Sequence, residues 1–253
     1  MAGLLGIGGG VIFVPCLILL LSTRAIPVEQ ISHIAIATTM ATILLTALAS
    51  VRTHHKKNTV HWPLVLAISP GIFLGALVGG QIFSGLHTGA LTLLFAGFVI
   101  FSAWQMRHQG KKVASGRSLP GKVGLMGAGS VIGFISSLVG VGGGFISVPF
   151  LTWCNVPIRN AIATSAAMSI PVAFFVTSSN ILNSYKLSNL PAGSLGYVYL
   201  PALACLAMAS VMTAPLGAKL TYQLNVVQIR KIFSNLLLAL AFYMAVRGVW
   251  VFI

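Results

Sequence analysis

Two short stretches of this chain hold enough glycine to present bare backbone amides to a ligand: residues 6–15, GIGGGVIFVP, and residues 140–149, GVGGGFISVP. An N–H with no side chain over it can donate directly to an anion, and a helix starting there adds the positive end of its dipole. The candidate donors are Gly8, Gly9 and Gly10 in the first knot and Gly142, Gly143 and Gly144 in the second. Neither knot is a dinucleotide fingerprint, since Val11 and Phe145 stand where the last glycine would be. Downstream of each knot lies a hydroxyl pair: Thr38 and Thr39 within Ala35-Ile-Ala-Thr-Thr39, and Thr164 and Ser165 within Ala161-Ile-Ala-Thr-Ser165. These hydroxyls can donate to an oxyanion without carrying charge into lipid; their structural use is to bond neighbouring helices or their own backbone.

The elements that position these groups follow from composition. The chain has 253 residues, of which 57% are hydrophobic and 6% charged, against about a quarter charged in a soluble domain. Runs such as 62–83 and 91–106 are near the roughly 20 residues that a helix needs to cross a bilayer and lack the alternation of a barrel strand. The fold class is therefore all-α, a polytopic membrane helix bundle. The formal charge of +14 sits between apolar runs without aromatic interleaving, which fits positive cytoplasmic loops better than nucleic acid. Cys16, Cys154 and Cys205 lie in apolar segments with no CxxC spacing, so no zinc site or disulfide framework is indicated. No cofactor, metal or catalytic residue is expected: HExxH, GxSxG and paired aspartates are all missing, and Glu29 is the one acidic residue. Residues 116–122 have the glycine and lysine spacing of a phosphate loop, but Val123 replaces the Ser or Thr that would hold magnesium.

Three matched blocks recur in one order: the knots, the hydroxyl blocks, and residues 79–95 with 217–233. Two homologous halves are expected, residues 1–107 and 122–253, joined by a basic cytoplasmic linker at 108–121. Spans are expected at 31–51, 63–83, from about 91 to 107, 161–182, 197–220 and 227–252. Gly71, Gly75 and Gly79 line one face of the 63–83 helix with small residues for close packing. His33, Gln81, Asn180, Asn183 and Lys219 are expected to be satisfied or interfacial rather than ligands. Residues 122–154 would run roughly 50 Å as one helix, far more than the about 30 Å hydrocarbon core. The helix must break, and Gly142–Gly144 with Pro149 is the weak point. Little chain precedes the first knot, so the N-terminal copy is expected to lack a full lead-in helix, and no signal peptide is recognisable.

GxGGGxxxVPxL at both knots, each followed by the A-I-A-T-[ST] block, resembles the TauE/SafE sulfite exporter family over nearly the whole chain. The resemblance implies a duplicated bundle of about eight helices that carries sulfite, sulfoacetate or related anions across the plasma membrane, here the bacterial inner membrane. The implied partners are a small anion and membrane lipid, with a homodimer left open. Alternatives are a permease for another small solute and a non-transporting membrane scaffold.

Eight single crossings distribute the Lys and Arg residues ten to five between the two sides. If each knot instead dips in and returns, the halves become inverted repeats and the distribution is twelve to three. The positive-inside tendency favours re-entrant knots, with the linker in the cytoplasm.

Overall fold

The computed structural model describes residues 9–23, 26–108, 119–184 and 190–220, with 235, 238–239 and 241–246 near the C-terminus. Its helices are α1 (Gly10–Ser22), α2 (Val28–His55), α3 (Trp62–Gly85), α4 (Thr88–His108), α5 (Lys122–Val139), α6 (Gly144–Trp153), α7 (Ile158–Ser184) and α8 (Leu200–Leu220). One small hairpin, β1 (Ser194–Leu195) with β2 (Val198–Tyr199), precedes α8 and pairs antiparallel, Ser194 opposite Tyr199. Most of the span expected at 227–252 and most of the 108–121 linker lie outside the described residues, as does Gly8.

Five helices, α2, α3, α5, α7 and α8, are long and apolar enough to cross a membrane. α3 shows why they form a bundle. Gly71, Gly75 and Gly79 pack so closely on α5 that a Cβ at each would strike the Met126 carbonyl, the Ser130 carbonyl and the Ser137 hydroxyl. The reverse face exposes Leu66, Leu74, Leu77 and Val78. In lipid there is no hydrophobic drive between helices, so close backbone approach through small residues does the holding while large apolar side chains face the tails.

Contacts fix the direction of each helix. α2 and α3 are antiparallel, with His33 Nε2 3.1 Å from the Phe83 carbonyl at one end and Trp62 Nε1 donating to His55 Nδ1 at the other. α3 and α5 run in the same direction, residues 71, 75 and 79 meeting 126, 130 and 137 in turn. α3 and α7 also run together: His61 N–H donates to Thr164 Oγ1 at 3.1 Å, Phe73 meets Phe175, and Gly80 meets Ser179. α6 opposes α7, since Ser147 pairs with Ser165 at 2.6 Å while Ser169 Oγ donates to the Gly142 carbonyl. It follows that α5 and α6 run oppositely, and that the chain enters and leaves this hairpin at the same end. The reversal occupies residues 140–143, where Gly140 has φ 73° and Gly143 φ 74°, a left-handed backbone that glycine adopts without penalty.

α8 runs with α2, Tyr199 N–H on Thr38 Oγ1 and Ser210 against Thr46. The helices carrying matched sequence blocks thus point in opposite directions: α2 against α7, and α3 against α8. All seven Lys and Arg among the described residues, Arg52, Lys56, Lys57, Arg107, Lys122, Arg159 and Lys219, fall at one end of the bundle, while Glu29 lies at the other. This basic face is the end at which α2, α4, α6 and α8 finish.

Candidate functional site

Each knot starts a short helix with a glycine in the left-handed region as its N-cap: Gly9 (φ 78°) for the 13-residue α1 and Gly143 (φ 74°) for the 10-residue α6. At 1.5 Å per residue these are about 20 and 15 Å long, about half a bilayer core. α1 runs outward to the acidic end and α6 to the basic face, so both start inside the bundle. The starts touch. A Cβ on Gly10 would strike the Gly140 carbonyl oxygen and lie 3.2 Å from Val141 Cα and 3.0 Å from Ile43 Cδ1; Ile43 is near the middle of α2. Two helix N-termini, each equivalent to roughly half a positive charge, therefore converge at mid-depth from opposite sides.

The amides there are partly free. Ile12 and Phe13 N–H bond the Gly9 carbonyl, and Ile146 and Ser147 N–H bond the Gly143 carbonyl. The Gly10, Val11, Gly144 and Phe145 N–H groups take no acceptor among the described residues, as expected of a helix's first turn. Beside the first knot is a cavity of about 200 Å³ lined by Gly9, Ile12 and Phe13 of the knot region and by Leu206, Ala209, Ser210, Thr213 and Ala214 of α8. A single water needs only about 10–15 Å³ measured this way, so a small polyatomic anion fits. Ser210 Oγ accepts from Thr46 Oγ1 at 2.9 Å, and Thr213 Oγ1 donates to the Ala209 carbonyl at 2.8 Å.

The second knot is filled differently. A Cβ on Gly143 would meet Ile132 Cγ2 at 2.8 Å, Val172 Cγ2 at 3.4 Å and Ser136 Oγ at 3.6 Å; one on Gly142 would meet Ile43 and Ser169. Glycine here serves close packing as well as exposed amides. Ser136 is buried, and its hydroxyl has no partner among the described residues.

The hydroxyl blocks divide. Thr38 Oγ1 accepts from Tyr199 N–H at the entrance to α8, and Thr164 Oγ1 accepts from His61 N–H at the entrance to α3. Thr38 thus clasps the start of α8 and Thr164 the start of α3, one clasp toward each end of the bundle. Ser165 Oγ bonds Ser147 of α6, whereas Thr39 Oγ1 is buried without a partner among the described residues. Of the residues chosen from sequence, Gly9 lines the cavity, and Gly10 and Gly142–Gly144 form the crossing. The α8 hydroxyls Ser210 and Thr213 were missed; the signal available was two hydroxyls three residues apart in an otherwise apolar helix. Asn180 was expected at an interface but is fully buried, with neither amide atom partnered. Thr38→Val and Thr164→Val are each expected to cost about 1 kcal/mol, the usual loss of a helix-start cap, with Ser at either position restoring it; thermal unfolding in detergent reads this.

The sequence model described as sulfite exporter TauE/SafE matches residues 1–244. The chain belongs to the sulfite exporter TauE/SafE family. Among TauE/SafE relatives, a probable membrane transporter protein of Haemophilus influenzae is 34% identical over 248 residues, covering 98% of this chain and 94% of the relative. A probable membrane transporter protein of Methanocaldococcus jannaschii is 25% identical, covering 96% of this chain and 90% of its own. A third, from Bacillus subtilis, is 25% identical over 242 residues. No solved structure gives a significant match. This TauE/SafE member is thus a multi-pass helical membrane protein of the transporter type.

Proposed function

We propose that the protein is a secondary transporter for a small sulfur-containing oxyanion or sulfonate, such as sulfite or sulfoacetate, and that the anion rests in the cavity between the first knot and α8. The observation carrying this reading is the meeting of two helix N-termini in the middle of the bundle beside a hydroxyl-edged cavity. Positive dipole ends favour a negative solute. Glu29, the one carboxylate, stands at the far end of α2 from the basic face and leaves the centre unopposed. Gly10 and Val11 supply amides, Gly9, Ser210 and Thr213 line the cavity, and Gly142–Gly144 add the second dipole. Thr38, Thr39, Thr164 and Ser165 support the helices around the site. Residues 1–107 and 122–253 act as inverted repeats in the cell membrane, the basic face toward the cytoplasm, rocking against each other about this centre.

Counterflow in proteoliposomes is the test. Vesicles loaded with unlabelled sulfite or sulfoacetate are expected to accumulate the labelled anion, with sulfate as comparator. Movement of a neutral solute alone would make the protein a permease of another kind. The packing of Ile132 and Val172 on Gly143 favours the scaffold reading as the second choice, and no flux of any solute would select it.

A further inference from the structure

The cavity connects, through one hydrogen bond, to a polar stripe on α2. Thr38, Thr42, Thr46, Ser50 and His54 recur every four residues, and all five are buried, none more than 4% exposed. Thr42 bonds the carbonyl four residues back, the ordinary use of a helical threonine, and Thr46 shares its one proton between the Thr42 carbonyl at 2.8 Å and Ser210 Oγ of the cavity at 2.9 Å. Ser50 does neither: its hydroxyl is buried with no partner among the described residues. One more turn brings His54 to the basic face.

α8 lies along this stripe in the same direction, Tyr199 against Thr38 and Ser210 against Thr46. That register sets Ser50 and His54 level with the next turns of α8, where the buried positions are Ala214 and Gly217. A seam with polar groups on one wall and small residues on the other has low steric bulk. Pro215 lies at the same level and removes one backbone bond from α8, weakening the helix where the seam must part. The matching positions on α7, in the register of the two hydroxyl blocks, are Val172, Val176 and Asn180. At these three matched positions α7 carries no hydroxyl.

We propose that solute passes between the central cavity and the basic face along the α2–α8 seam, over Thr46, Ser50 and His54. This rests on the transporter reading above. The ligand class is a hydrated anion small enough to be held by single hydroxyls, with His54 meeting it at the mouth. At this end of the bundle lie Arg52, His55, Lys56 and Lys57 on α2 and its following loop, His61 and Lys122 at the starts of α3 and α5, Arg159 on α7 and residue 219 of α8, a lysine. All are basic, which draws an anion toward it.

The test uses the full chain with Cys16, Cys154 and Cys205 changed to Ser, carrying Ser50→Cys, Thr46→Cys or Val176→Cys. A negatively charged, membrane-impermeant methanethiosulfonate is added from the basic face. Ser50→Cys is expected to react on the order of tenfold faster than Val176→Cys, because only a thiol in contact with water ionises to the reactive thiolate, and sulfoacetate is expected to slow it. Thr46→Cys gives the same readout should Ser50→Cys not fold. Equal rates at residues 50 and 176, or no reaction at 46 and 50 in a protein that still transports, overturns the seam. Fast labelling in a protein that moves no anion instead upholds the seam as a water path and overturns the substrate assignment.

Discussion

Gly9→Leu is expected to abolish anion flux while leaving the protein in the membrane at normal abundance. Gly9 is both a wall of the cavity and the left-handed N-cap of α1, so a leucine there fills the space the anion needs and shields the Gly10 and Val11 amides. Hydrogen bonds to a charged group contribute about 1.5–3 kcal/mol each, so losing two weakens binding by at least about 100-fold. Leucine in the left-handed region adds roughly 1–2 kcal/mol of strain. Gly9→Asn separates the two effects, because asparagine tolerates that backbone and is smaller than leucine. Asparagine is expected to keep most of the stability and part of the flux. Proteoliposome uptake beside a thermal melt reads both, and full flux through Gly9→Leu would place the anion elsewhere.

The second large effect is expected at Gly10→Val. The new side chain would run into the Gly140 carbonyl and crowd Val141 and Ile43, all backbone or packed core with nowhere to move. Overpacking of this kind costs about 1–3 kcal/mol, and here it drives the two knots apart. Flux should fall together with melting temperature. The contrast with Gly9→Leu is informative: one substitution empties the site with modest loss of stability, the other disassembles the crossing. A Gly10→Val protein with unchanged stability would show that the knots need not touch for the fold to hold.

The knots and the helices were legible in the chain because each is a local property. Apolar runs near bilayer length can only be helices in lipid, and three consecutive glycines before a proline must interrupt one. The four-residue glycine spacing on α3 likewise announced close packing, which its contacts with α5 show directly. Charge counting added something less local: the asymmetry of Lys and Arg favoured a chain that turns back at the knot, and the shared direction of α5 and α7 on α3 shows that reversal at residues 140–143.

The hydroxyl blocks were harder to read. From sequence, Thr38 and Thr164 look equivalent to Thr39 and Ser165, since all four are short donors on apolar helices. Which of them meets a ligand, a helix start or nothing depends on what the other half places opposite. Ser210 and Thr213 carried little local signal for the same reason, their importance coming from Gly9 across the cavity.

Sequence by itself determined that this is a helical membrane protein with two glycine-rich knots and a strong bias of basic charge, because composition and backbone chemistry act within a few residues. Tertiary structure alone decided that the interruptions meet, that one opens on a cavity while the other is packed by Ile132 and Val172, and that α2 and α8 share a polar seam. Those outcomes depend on atoms far apart in the chain brought to within a few ångströms, and no spacing along the chain records that distance.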